Sequence, residues 1–228
     1  MSAFLGLLLL DTRFTRAAGD AGRPDSYAMP VRAVCVRGAT PQRVLRKGMR
    51  ESHQSHDGHE GDPALLQSFI DAALSLQADG AAAITTSCGF LVLHQAALQA
   101  ALRVPVWTSS LLKLPELNEP GVLTVDAALL SSRHLQAAGA STATPVEGLE
   151  AGCSLHRTLL GNLLGLDAPK ALADVVGAAT RLVQRHPQVR HVVLECTNMP
   201  PYADAVARAT GLPVHHLSTL VHERWKAP

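Results

Sequence analysis

The stretch Ala81–His94, "AAAITTSCGFLVLH", decides the fold. Its apolar start, Ala81 to Ile84, breaks off into Thr85-Thr86-Ser87, a cysteine and a glycine. From Phe90 to Leu102, "FLVLHQAALQAAL", the apolar residues then recur at helical spacing. The pattern is a buried strand passing into a helix through a turn that carries Cys88. A second copy comes 108 residues later, as "HVVLECTNMPP", His191–Pro201, with Cys196 in the same place.

Working outward, apolar runs of strand length alternate with helical patterns. Strands are predicted at Ala3–Leu10, Val31–Val36, Ala81–Thr86, Val104–Thr108, Val122–Val125, Val192–Glu195 and Val214–Leu217, with a short one near Thr142–Val146. Most are apolar throughout, as strands covered on both faces are. Helices are predicted at Pro63–Gln77, Phe90–Leu102, Ala127–Ala138, Ala168–Arg185 and Pro201–Thr210. For the first of these, Asp62 is the expected N-cap and Pro63 the first helical residue. Such alternation means parallel sheet and an α/β fold. The pattern runs twice, once to about Thr108 and again after Pro120, so each half carries one cysteine motif.

Composition narrows the function classes. With 228 residues the chain can bury a sizeable core, and 47% hydrophobic against 17% charged residues makes it globular. A net charge of +1 and only 4% aromatics argue against nucleic acid or a membrane surface as partner. The opening "MSAFLGLLLLDTR" has no positive n-region and no small-residue cleavage site, so it reads as a first strand. The four cysteines show neither paired C-x-x-C nor zinc spacing, and free thiols in a reducing cytoplasm are expected. His53, His56 and His59 lie in a polar segment, "ESHQSHDGHEGD", read as a solvated loop rather than a metal site.

In open α/β sheets ligands bind outside the carboxyl ends of strands, which is where both cysteines fall. A thiol titrates near ~8.5 and is easier to ionise at a helix start, where amides also form an anion site. Two thiols opposed across a cleft suit inversion at a carbon that carries a hydrogen. One takes the proton from one face and the other delivers a proton to the opposite face. Cys35, inside a predicted strand, is expected in the core, and Cys153 is expected to be structural.

"TTSCGF" and "ECTNMPPYA" resemble the two cysteine motifs of the cofactor-independent aspartate/glutamate racemase superfamily (Asp/Glu/hydantoin racemase-like), over nearly the whole chain. "LLLLDTRF" resembles the strand-then-acid opening of glutamate racemases. The resemblance implies two flavodoxin-like (Rossmann-like) lobes related by a pseudo-twofold, with the site in the cleft between them and with neither PLP nor metal. The first lobe is expected to hold residues 1–108 plus about 205–228, and the second residues 109–204. Cys88 and Cys196 are the implied catalytic pair. Asp11 and Thr12 are implied beside the substrate, with Thr86, Ser87 and Gly89 around the first thiol and Thr197 and Asn198 around the second. Glycine follows the first cysteine where glutamate racemases have asparagine, and Asn198 stands where they have histidine. Both departures point away from glutamate itself.

Arg13 and, less so, Arg16 are candidates to clamp a carboxylate. Asp20 reads as a turn residue, Glu195 as structural and directed away from the sulfur, and His215 and His216 as core, interface or cleft residues. The expected activity is a PLP-independent racemase or epimerase (an isomerase) acting on a small acidic amino acid or related substrate by two-cysteine proton transfer. The alternatives are a single-thiol decarboxylase or cis-trans isomerase of small dicarboxylates, as in arylmalonate decarboxylases and maleate isomerases, or a catalytically silent binding relative. A small-molecule carboxylate is the expected partner, with no cofactor, and a homodimer is possible.

Overall fold

A computed structural model describes residues 3–45 and 62–226. The segment carrying His53, His56 and His59 lies outside the described residues. The first sheet holds β1 (Phe4–Leu10), β2 (Val31–Val36), β3 (Ala81–Thr86) and β4 (Val106–Trp107), all parallel, in the order β2-β1-β3-β4. The second holds β5 (Pro120–Thr124), β6 (Val146–Gly148), β7 (His191–Leu194) and β8 (Val214–His216), also parallel, in the order β6-β5-β7-β8. The same strand order therefore occurs twice, and each cysteine follows the third strand of its set. The expected α/β fold of two parallel-sheet lobes is the fold observed.

Helices cover the sheets: α1 (Pro41–Leu45), α2 (Pro63–Ala78) and α3 (Gln95–Ala101) in the first half, α4 (Ser132–Ala137), α5 (Ser154–Leu160), α6 (Ala168–Arg185) and α7 (Ala203–Thr210) in the second, and α8 (Leu217–Lys226) at the end. Asp62 caps α2 as expected, its carboxylate accepting from the Leu65 amide at 3.1 Å. The helix then buries Leu65, Phe69, Ala73 and Leu76 on one stripe against the first sheet. In α6 the residues Ala171, Val175, Ala178, Ala179 and Leu182 do the same for the second sheet. Removing such side chains from water is the main favourable term for each lobe, at about 25 cal/mol per Å² of apolar surface.

Several sequence expectations need correction. Cys35 is exposed, because β2 is the edge strand and its outward face is uncovered. The helix expected at Phe90–Leu102 begins as a 3-10 turn, Gly89–His94, closed by the Leu91 amide on the Cys88 carbonyl. The helix expected at Ala127–Ala138 shrinks to α4, which starts at a Ser131–His134 capping box. Sequence reading did not find α5. The chain also returns to the first lobe later than near residue 205. Strand β8 pairs with β7, and α7 packs on α6, so both belong to the second sheet. Only α8 crosses back, placing Leu217, Leu220 and Val221 against Leu5, Leu7, Ala83 and Trp107. No helix of the described residues is long and apolar enough to cross a membrane.

Candidate active site

The loops after β3 and β7 meet at the carboxyl ends of the two sheets. They are tied directly together, with the Thr197 hydroxyl donating to the Ser87 carbonyl at 2.7 Å. Between them opens a cleft of about 430 Å³, its open mouth included. Its polar wall is Ser87, Cys88 and Gly89 from one loop and Glu195, Cys196, Thr197 and Asn198 from the other. Its apolar wall comes from Leu10, Phe14, Phe90 and Val125, with Pro41 and Leu45 of α1 and Leu159 and Leu160 of α5. Helices α1 and α5 are joined across the mouth by Gln42, whose side-chain amide donates to the Leu160 carbonyl at 2.9 Å.

Both thiols line this one cleft, and their settings differ. The Cys88 sulfur receives the amides of Phe90 and Leu91, and the positive field of Arg16 also favours its thiolate. Opposing these, burial first and then the Glu195 carboxylate push the thiol up to about 12. The Cys196 thiol points to the Asn198 side-chain oxygen at 3.7 Å, so its proton is held. Asn198 is fixed in that orientation because its Nδ2 donates to Asp20 at 2.6 Å. Burial, then Glu195, raises Cys196 well above the ordinary thiol range. The Asn198 amide opposes that rise only in part, so both thiols are held protonated. Cys88 differs in receiving two amides and the field of Arg16, while the Cys196 proton has an acceptor in the Asn198 side chain.

The residues just before the cysteines occupy matching places in the two lobes. Ser87 Oγ accepts the Leu10 amide at 2.9 Å and, at 3.5 Å, an Arg16 nitrogen. With both acceptor positions engaged, its own proton is left for a ligand. Glu195 is fully buried, contrary to the expectation that it points away from the site, and it forms part of the cleft wall. One carboxyl oxygen accepts from Thr124 Oγ1 at 2.7 Å, and the other has no partner among the described residues. The carboxyl lies against Gly89, where a β-carbon would come within 2.2 Å of it.

Burial lifts the Glu195 carboxyl from its ordinary 4.5 to about 7, the Thr124 bond opposing only in part. A carboxyl raised in the folded state favours folding most below pH 4.5, and that contribution is lost as pH climbs through about 7. At pH 8 the ionised group costs on the order of 3 kcal/mol. Glu195→Gln, neutral at every pH, is therefore expected to raise the urea midpoint clearly at pH 8 and only slightly at pH 5.

The remaining candidates lie apart from the cleft wall. Asp11 accepts the Gly38 amide at 3.0 Å, and exposed Arg13 is held through its amide by Asn162 at 2.6 Å. Thr12 receives Arg16 at 3.4 Å, and Thr86 donates to the Thr108 carbonyl at 2.7 Å behind the loop. Sequence reading undervalued Arg16 and Asp20. They form a buried ion pair at 2.9 Å, and Asp20 also accepts the Gly22 amide at 2.6 Å. The pair carries order from the loop after β1 to both thiols. His215 on β8 and His191 on β7 are hydrogen-bonded through their rings, Nε2 to Nδ1 at 3.1 Å, away from the cleft wall, and Cys153 is half-buried at the start of α5. Among the described residues no group of His, Cys, Asp or Glu is arranged to hold a metal.

No protein-family model matches the chain. It is similar to a curated dimethylsulfoniopropionate lyase from Durusdinium sp. clade D, at 29% identity over 93% of this chain and 71% of that protein. It also resembles dimethylsulfoniopropionate lyases 6 and 7 of Emiliania huxleyi, at 29% and 28% identity over 92% of this chain. Of these two it spans only 56% and 62%. Among solved structures, unliganded arylmalonate decarboxylase superposes with a TM-score of 0.54 at 18% identity, over 95% of this chain and 88% of that one. Allantoin racemase from Pseudomonas fluorescens gives 0.58 at 17% identity, over 96% and 88%. The fold is the one these decarboxylase and racemase structures share, as the two motifs led one to expect. The expected isomerase activity is corrected, because the sequence relatives bear the names of lyases. The physical reason for the error is that racemisation and elimination both begin by removing a proton beside a carboxylate. A cysteine at a strand end does not distinguish them.

Proposed function

We propose that this chain is a lyase that eliminates a dialkyl sulfide from a small sulfonium carboxylate, with dimethylsulfoniopropionate as the expected substrate. The observation that carries the reading is the inequality of the two thiols. An elimination of this kind needs one base and no acid, since the sulfide departs neutral. A Cys88 whose thiolate is favoured by two amides and Arg16, in one cleft with a Cys196 whose proton has an acceptor in Asn198, fits that demand.

In the proposed reaction the substrate carboxylate takes the free proton of Ser87 as a hydrogen bond, which steadies the enolate-like charge. The sulfonium offsets the negative field of Glu195, so Cys88 gives its proton to water once the cation is bound. The Cys88 thiolate removes a proton from Cα, and the C–H electron pair becomes the Cα–Cβ double bond. The Cβ–S bond breaks, its pair leaving with dimethyl sulfide. Acrylate remains, and Cys88 ends the turnover protonated, as it began, so the one proton released overall is the one given to water on binding. Cys196 stays protonated and helps shape the far wall. Both sulfurs must remain reduced, which suits a reducing cytoplasm.

Headspace gas chromatography over the purified protein with dimethylsulfoniopropionate tests the proposal. Dimethyl sulfide should accumulate in proportion to enzyme and in step with acrylate. A headspace no richer than that over buffer alone rejects it.

A further inference from the structure

The matched positions before the two cysteines differ in kind, and that asymmetry goes unused if only the thiols do the work. The loop after β3 lends the cleft wall a hydroxyl donor, Ser87, backed by the guanidinium of Arg16 at 3.5 Å. The loop after β7 lends it Glu195, a fully buried carboxyl with an oxygen that no described residue satisfies. Around them the wall is hydrocarbon, including Val125, Leu159 and Leu160. A buried acceptor left unpaired is costly, and natural proteins tolerate it mainly where a ligand or function answers it.

We propose, building on the lyase reading, that Glu195 is the specificity-determining counter-ion for a cationic centre in the substrate, while Ser87, on the other cysteine loop, takes the carboxylate. The site thereby selects zwitterions whose cation carries alkyl groups. The alkyl groups pack on the apolar wall, and the positive charge is answered by a carboxylate that little water reaches, where charge attraction is strong. Gly89 belongs to this arrangement, since any β-carbon there would occupy the space of the Glu195 carboxyl.

The charged and titratable surroundings of Glu195 are few. Cys88 faces it from the loop after β3 and Cys196 from its own loop, both titrating far above neutrality. From β5 it meets only the Thr124 hydroxyl. Asp20 is already occupied by Arg16, the Gly22 amide and Asn198. Between pH 6 and pH 8 the group that changes charge here is therefore Glu195, which titrates at about 7.

The test compares two unreactive ligands of one shape, 3-(trimethylammonio)propionate and 4,4-dimethylpentanoate, which differ only in the charge of the tail. Their dissociation constants are measured by calorimetry on the full chain. At pH 8 the wild type should prefer the cation, and the preference should shrink about tenfold on going to pH 6, as the ionised fraction of Glu195 falls. In Glu195→Gln the preference should vanish and become flat with pH. If that variant does not fold, the wild-type pH series decides alone. The inference is overturned by a preference that Glu195→Gln leaves intact, by one that ignores pH, or by failure of the cationic ligand to bind. Release of dimethyl sulfide by a protein whose charge preference does not depend on Glu195 rejects this inference and keeps the lyase reading. A Glu195-dependent preference without sulfide release does the reverse.

Discussion

Serine in place of Cys88 is expected to lower kcat/KM for dimethylsulfoniopropionate by at least ~10³-fold, with KM little changed. An alkoxyl group ionises many units higher than a thiol. The amides of Phe90 and Leu91, which now help hold a thiolate, cannot make up that difference. Cys196→Ser is expected to be milder, at no more than ~10²-fold, since a hydroxyl can still donate to the Asn198 side-chain oxygen and still fill the wall. The ordering of the two losses is the informative quantity. Steady-state rates of sulfide release for both variants, measured with circular dichroism to verify folding, decide it. A deeper loss at Cys196 would reverse the assignment of base.

The second large effect is expected at Gly89. A β-carbon there would lie 2.2 Å from the free Glu195 oxygen and 2.4 Å from the Glu195 carbonyl. The side chain could turn away, at the cost of its bond to Thr124. The carbonyl cannot retreat without moving Cys196, and the Thr197–Ser87 hydrogen bond pins that backbone to the opposite loop. Gly89→Ala should therefore wedge the two cysteine loops apart. Overpacking of this kind costs about 1–3 kcal/mol. A displacement of ~1 Å between base and substrate costs ~10²-fold in rate. Thermal melts and turnover numbers should fall together. A Gly89→Ala protein with normal stability and rate would mean that the loops are not held in this apposition.

The fold was legible because its signals are local. Val31–Val36 and Ala81–Thr86 are apolar runs of strand length, and Asp62-Pro63 and Asp167-Ala168-Pro169 mark helix starts with side-chain caps that the structure contains. The two cysteines could be located for the same reason, each ending a strand. What stayed hidden depends on contacts between distant residues. Period-two alternation directs Glu195 away from the side that Cys196 faces, but β7 ends at Leu194, and beyond a strand's end alternation has no force. Asp20 looks like a turn residue until Asn198, 178 positions away, is seen to bond to it. Helix α5 is short, and its identity comes from packing on α6 more than from its own periodicity. The type of reaction was the least legible, since a base beside a carboxylate serves inversion and elimination alike. Only the substrate's leaving group separates the two, and that is not written in the enzyme's motifs.

The most direct test of the account is a proton NMR time course of the purified chain with dimethylsulfoniopropionate in deuterated water. The predicted result is the rise of acrylate vinyl signals, one for one with loss of the S-methyl resonance of the substrate, in the wild type and not in Cys88→Ser. A spectrum in which the substrate persists for hours, or a Cys88→Ser protein that produces acrylate at the wild-type rate, would contradict it.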